Sequence, residues 1–167
     1  MTPPKKIDIR DTLADLTTGE LLALSRDILA ELRRRGVIRS GNAPAGDYAE
    51  LLVQRATGGE LAPNAQKSWD VETPEGHLQV KARVVPNPKA PGERQLSVFR
   101  SWEFDAAVIV LFDDEFRVWR ATWLPVAVLK QAARLNEHVS GFRVMATDAL
   151  LDRGEDWTDR LRHAAEP

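Results

Sequence analysis

Residues 68–85, SWDVETPEGHLQVKARVV, decide the fold. The runs SWDVET and HLQVKARVV alternate in polarity as strands do. They flank TPEG, residues 73–76, whose proline at the second position and glycine at the fourth suit a type I turn. A hairpin turning there sets Asp70 opposite Gln79 and Ser68 opposite Lys81, and directly opposed residues leave the same face of the pleat. Trp69, Val71, Leu78, Val80 and Ala82 fall on the other face. The expectation is therefore one face for the core and one polar face carrying an acid, an amide and an amine. Taken alone, Asp70 and Lys81 form a diagonal surface ion pair, worth roughly 0–1 kcal/mol.

The elements around the hairpin extend the pattern. Upstream, DYAELLVQRATGG predicts a short helix with Asp47 as N-cap and Gly58 and Gly59 as its stop. Glu50 then stands as the fourth member of a capping box, and it also lies early enough in the helix to approach the Asp70 end of the sheet. Further upstream, TTGELLALSRDILAELRRRG predicts a longer helix. Thr17 and Glu20 have capping-box spacing, Leu21, Leu24, Ile28 and Leu32 make a helical stripe, and Arg33–Arg35 suit the negative end of the helix before Gly36.

Downstream, PNPKAPGERQ is a loop, and DAAVIVLF is a continuous apolar run of strand length that predicts a central strand covered on both faces. DDEFRVWRATW follows as its hairpin partner, with Asp113, Asp114 and Glu115 in a solvated turn. A helix is expected from Pro125 through PVAVLKQAARL, a short strand in GFRVMAT and a terminal helix in DWTDRLRHAA. The order is that of an α/β domain over residues 41–167, with residues 1–40 as an N-terminal helical extension.

Composition narrows the function classes. The chain has 167 residues, 43% of them hydrophobic, enough for one domain with a real core. A net charge of -2 advertises no nucleic-acid partner, so such a partner has to meet a local basic patch. The absence of cysteine excludes disulfides and thiolate zinc sites and fits a reducing cytoplasm. MTPPKKIDIR holds no apolar signal core and no stretch approaches a membrane span, so a cytoplasmic protein without a membrane partner is expected. His77, His138 and His163 lack metal-like spacing, and no P-loop, GxGxxG or serine elbow is present.

The ordered set GDYAE, WDV and LQVKAR, across roughly residues 46–135, resembles the PD-(D/E)xK phosphodiesterases of the restriction-endonuclease-like superfamily. The variant it resembles has glutamine in place of the acid before x-Lys. ELRRRGVIRSGNAPAGDYAE is also similar to a group of small bacterial proteins thought to carry this fold. The resemblance implies an αβββαβ core, a mixed sheet flanked by helices, and a metal-dependent DNA endonuclease. Asp70, Gln79, Lys81 and Glu50 would be catalytic. Asp70, Glu50, Gln79 and the Val80 carbonyl would hold Mg²⁺ or Mn²⁺, a hard cation that takes oxygen ligands. Lys81 would stand beside the scissile phosphate.

Two departures bear on this expectation. Gln79 offers an amide oxygen without negative charge, which weakens metal binding relative to a second carboxylate. Trp69 stands where the family has proline, a residue that shapes backbone and does no chemistry. Lys67, Ser68, Arg83, Lys89, Arg94 and Arg100 surround the expected site as candidate phosphate contacts on DNA. Cutting both strands would call for a homodimer, with the first helical stripe as a candidate interface. Two alternatives remain: a catalytically silent module of the same fold that binds nucleic acid or a protein, and a structural interaction protein.

Overall fold

The computed structural model describes residues 9–41, 43–63, 65, 68–87 and 91–166. The chain divides into two compact units, Met1–Arg39 and Ser40–Pro167. In the first, a short helix α1 (Arg10–Ala14) precedes α2 (Thr18–Arg34). The capping box forms as the spacing predicts: the Thr17 amide donates to Glu20 Oε2 at 2.8 Å and the Glu20 amide donates to Thr17 Oγ1 at 3.4 Å. At the other end Arg34 and Arg35 both donate to Glu31 at 2.7 Å. These bonds, Arg34's first, hold the Glu31 carboxyl down to about 2. Gly36, at φ +71°, closes the helix. Leu22 and Ile28 are exposed. Among the described residues, no helix is long and apolar enough to cross a membrane.

The second unit is α/β. Its first helix, α3, runs Pro44–Thr57 and so begins about one turn before the predicted start. Proline's fixed φ and missing N–H suit the first helical position, which is what moves the boundary. Asp47 is therefore inside the helix rather than its N-cap, and its carboxylate accepts the Ser40 amide at 2.6 Å. With Asp47 inside, the capping box expected with Glu50 does not form. Gly58, at φ +68°, ends α3 as expected, its amide donating to the Gln54 carbonyl at 2.9 Å.

Six strands form the main sheet: β1 (Glu60–Leu61), β2 (Val71–Thr73), β3 (Gly76–Val84), β4 (Ala106–Phe112), β5 (Val118–Pro125) and β8 (Glu155–Asp156), in the order β1-β2-β3-β4-β5-β8. Only β3 and β4 run parallel, so the sheet is mixed. The predicted hairpin register holds, with Val71 opposite Leu78 and Thr73 opposite Gly76. Its first strand is shorter than expected and begins only at Val71.

Joining parallel strands needs a crossover of a dozen or more residues. Here residues 85–105 make it, and among the described residues they carry one 3-10 turn, Pro91–Arg94, and no α-helix. From α3 the main elements thus run αβββββα, where an αβββαβ core was expected. After β5 come α4 (Val126–Ala132), a separate two-stranded sheet of β6 (Arg134–Asn136) and β7 (Gly141–Arg143), then α5 (Asp148–Leu151), β8 and α6 (Thr158–Ala165).

All seven residues of β4 are buried, as its unbroken apolar run predicts. Ala106, Val108, Val110 and Phe112 pack with Val71, Leu78 and Val80 beneath α3 and α6. Ala107, Ile109 and Leu111 pack on the opposite face with Leu96, Phe99 and Phe104 of the crossover and Leu129 of α4. The hairpin's second face is consequently only partly open to solvent, because the crossover covers part of it. Trp69 belongs to this second side, where it stacks on His77 with centroids 3.9 Å apart, and not to the Val71–Leu78 face.

Candidate functional site

Asp70 lies one residue before β2, where that strand parts from β3. Its amide donates to the Leu78 carbonyl at 2.8 Å. Past Leu78, among the described residues, no strand pairs with the outer edge of β3. The Asp70 carboxylate takes over there: Oδ2 accepts the Val80 amide at 2.6 Å and the Gln79 side-chain amide at 2.5 Å. A side chain thus satisfies a main-chain donor that the ladder leaves unpaired.

This arrangement orients two further oxygen donors. A strand residue sends its N–H and C=O to the same edge, so the Val80 carbonyl also faces the outer edge of β3. Gln79 spends its nitrogen on Asp70 and keeps Oε1 as an acceptor.

Lys81 is the next residue whose side chain shares the face of Gln79. The crossover folds over it, so Nζ donates to the Val98 carbonyl at 3.0 Å and sits 4.9 Å from the centroid of the Phe99 ring. Burial lowers the Lys81 pKa from its ordinary value, Asp70 and Glu50 pull it back up, and Arg100 pushes it further down. Glu50 rises from α3, which packs on β3, and its carboxylate adds to the field on that ammonium more weakly than Asp70 does.

The other expected residues divide. Arg100 is exposed, donates to the Val139 carbonyl at 3.2 Å and contributes to the Lys81 field. Arg83 is exposed and donates to the Gln95 carbonyl at 2.8 Å. Ser68 does not pair with Lys81, because β2 starts after it, and its hydroxyl donates to Glu103 at 2.9 Å. Lys67 and Lys89 lie outside the described residues.

Arg94 is a correction. It is 8% exposed, donates to Asp148 at 2.8 Å and lies 4.8 Å from the centroid of the Trp119 ring. It braces the crossover against α5 instead of presenting a cation to a phosphate. The tie to Asp148 is separated by 54 positions in sequence, so no local spacing signals it. Nor does any motif signal Val98 and Phe99, which hold Lys81.

Asp113 accepts the Glu115 and Arg117 amides and the Arg117 side chain at 2.9–3.0 Å, as a turn carboxylate does. Burial alone would raise its pKa, and the Arg117 bonds lower it. Asp105 accepts the His77 amide at 2.7 Å and fastens the start of β3 to β4.

Among the described residues, no group of three or more His, Cys, Asp or Glu side chains is arranged to hold a metal ion. The donor set at the β3 edge is the Asp70 carboxylate with a neutral amide oxygen and a main-chain carbonyl. It suits a hard, oxygen-seeking cation in kind, with less charge than a three-carboxylate cage supplies. No family model matches the sequence, and no curated protein matches it.

Proposed function

We propose that this protein is a metal-dependent DNA endonuclease with a restriction-endonuclease-like fold, hydrolysing phosphodiester bonds at the outer edge of β3. The observation that carries this reading is the Asp70 carboxylate, fixed by Gln79 and Val80 where β2 and β3 part, with the half-buried Lys81 next on the same face of β3.

Asp70, Glu50, the Gln79 oxygen and the Val80 carbonyl would hold Mg²⁺ or Mn²⁺. Such an ion, when bound, supplies Lewis-acid stabilisation of charge and lowers the pKa of bound water. The chain's own residues do the rest. The main-chain and amide donors orient Asp70 before substrate arrives, so no reorganisation is needed during reaction. Lys81 brings one positive charge into a site partly screened from water, where it acts more strongly on phosphate oxygens than an exposed lysine would. In hydrolysis a water oxygen bonds to phosphorus, the bond from phosphorus to one ester oxygen breaks, and that oxygen leaves as an alcohol after taking a proton. Arg83 and Arg100, both exposed, are the described cations of the expected set available for flanking phosphates.

The test is incubation of purified protein with supercoiled plasmid, with Mg²⁺ or Mn²⁺ or with chelator, beside Lys81→Ala. Metal-dependent nicking that the variant loses supports the enzyme. Absence of nicking under every condition removes it.

One observation favours a second reading, a silent module of the same fold that binds nucleic acid. Lys81 Nζ is engaged by Val98 and lies over Phe99, so reaching a phosphate requires it to leave that carbonyl. Salt-sensitive DNA binding with no cutting would select this reading. Cutting of both strands would call for two sites, and Leu21 and Ile28, exposed on the predicted stripe of α2, offer apolar surface for a homodimer. Sedimentation of Leu21→Glu, Ile28→Glu beside the wild type checks that interface.

A further inference from the structure

The small sheet β6–β7 sets Arg134 directly opposite Arg143. Like charges placed directly across a strand pair repel. Among the described residues, neither side chain has a hydrogen bond or ion pair. Asn136 leaves the same face as Arg134, two residues along. Its Oδ1 is buried and accepts no hydrogen bond. All three line a cleft of about 540 Å³ whose apolar wall includes Ala132, Met145 and Leu150.

These features ask for a ligand with two chemistries. Two guanidinium forks on one face match the oxygens of a phosphate. The apolar wall matches a larger body than a phosphate. The volume decides between small anion and nucleotide, since clefts of roughly 300–1,000 Å³ take whole small molecules and an inorganic phosphate would leave most of this one unfilled. Gln95 also lines the cleft, and Arg83 donates to its carbonyl, so an exposed cation continues from the cleft toward Lys81 on β3.

We propose that the Arg134–Arg143 cleft is a nucleotide subsite for a nucleic-acid strand: the two arginines hold one phosphate, and the attached nucleoside lies against Ala132, Met145 and Leu150. The subsite shares no residue with the Asp70–Gln79–Lys81 group. It requires binding and not cleavage.

The experiment measures anisotropy of a fluorescein-labelled single-stranded oligodeoxynucleotide in chelator over a salt series, for wild type, Arg134→Gln/Arg143→Gln and Arg134→Lys/Arg143→Lys. Adenosine monophosphate and inorganic phosphate serve as competitors. The glutamine variant is expected to bind about tenfold more weakly, with a log–log salt slope shallower by roughly 0.7, the loss of one phosphate contact on a single strand. The lysine variant keeps most of the slope. Arg134→Gln and Arg143→Gln separately should each lose about half as much, which preserves the test if the double variant does not fold.

Unchanged affinity and slope in the glutamine variants overturn the subsite, as does wild-type protein that binds no oligonucleotide. Loss of adenosine monophosphate binding with oligonucleotide binding intact would place a free nucleotide there and overturn the nucleic-acid assignment. Because chelator is present throughout, a failure of nuclease activity leaves this result readable, and the reverse also holds.

Discussion

Asp70 Oδ2 stands 2.6 Å from the Val80 amide nitrogen, so a carboxylate does the work of a neighbouring strand at the point where β2 leaves β3. Two consequences are separable. Asp70→Ala leaves a partly buried N–H without its acceptor and is expected to lower stability by about 1–3 kcal/mol. Asp70→Asn keeps an acceptor oxygen and should lose less. Both should lose Mg²⁺-dependent nicking. Urea denaturation beside a plasmid assay reads the two effects, and an Asp70→Ala protein as stable as wild type would show the Val80 bond to be idle.

Lys81 carries a pH signature. Its pKa is lowered from 10.5 in the folded chain, chiefly by burial, so the unfolded chain binds the proton more tightly. Below the folded pKa the shift costs stability. As pH rises from the folded pKa toward 10.5 the unfolded chain holds more protons, and stability increases. Lys81→Met removes this dependence and is expected to be at least as stable at neutral pH, while inactive. Denaturation midpoints from neutral pH to 10.5 provide the check; a flat wild-type profile would contradict it.

Arg94 separates packing from binding. Arg94→Gln removes the bond to Asp148 and the stacking on Trp119, for an expected loss of about 1–3 kcal/mol. DNA affinity and its salt slope should not change. Anisotropy titrations at two salt concentrations, run with a thermal melt, test both halves; a shallower slope would return Arg94 to the phosphate contacts.

Gly76 has φ +138°, and a Cβ there would collide with the Asp105 carboxylate that fastens the His77 amide. Gly76→Ala is expected to destabilise by more than about 1 kcal/mol, since it combines an incompatible backbone angle with a displaced hydrogen bond. Pairing it with Asp105→Ala removes the closest atoms of the collision, and the double variant should lose less than the two single losses together. Strict additivity in urea melts would show that the contact is not shared.

The hairpin was legible because turn chemistry and period-two alternation are local, and its register follows from the turn alone. The β4 run was legible for the same reason: seven apolar residues in a row leave a strand no solvent face. What covers the hairpin's second side was not legible. Residues 85–105 look like loop, and only tertiary pairing of Leu96 and Phe99 with Val144 and Phe142 lays them across the sheet. The α3 start was misplaced because Asp47 is a good cap residue by type, whereas Pro44 takes the first turn by geometry. At the site, Asp70 and Gln79 could be paired from numbering. The partners of Lys81 and Arg94 come from segments far along the chain, which no spacing rule reaches.

The outermost strands, β1 and β8, are two residues long and present Glu60, Glu155 and Asp156, all exposed. A foreign strand seeking to extend the sheet would find little main chain to bond and a row of carboxylates to repel it. Those two ends therefore resist edge-to-edge pairing, which leaves the outer edge of β3 past Leu78, where Asp70 already occupies the Val80 amide, as the described stretch of main chain that an added strand would have to reach.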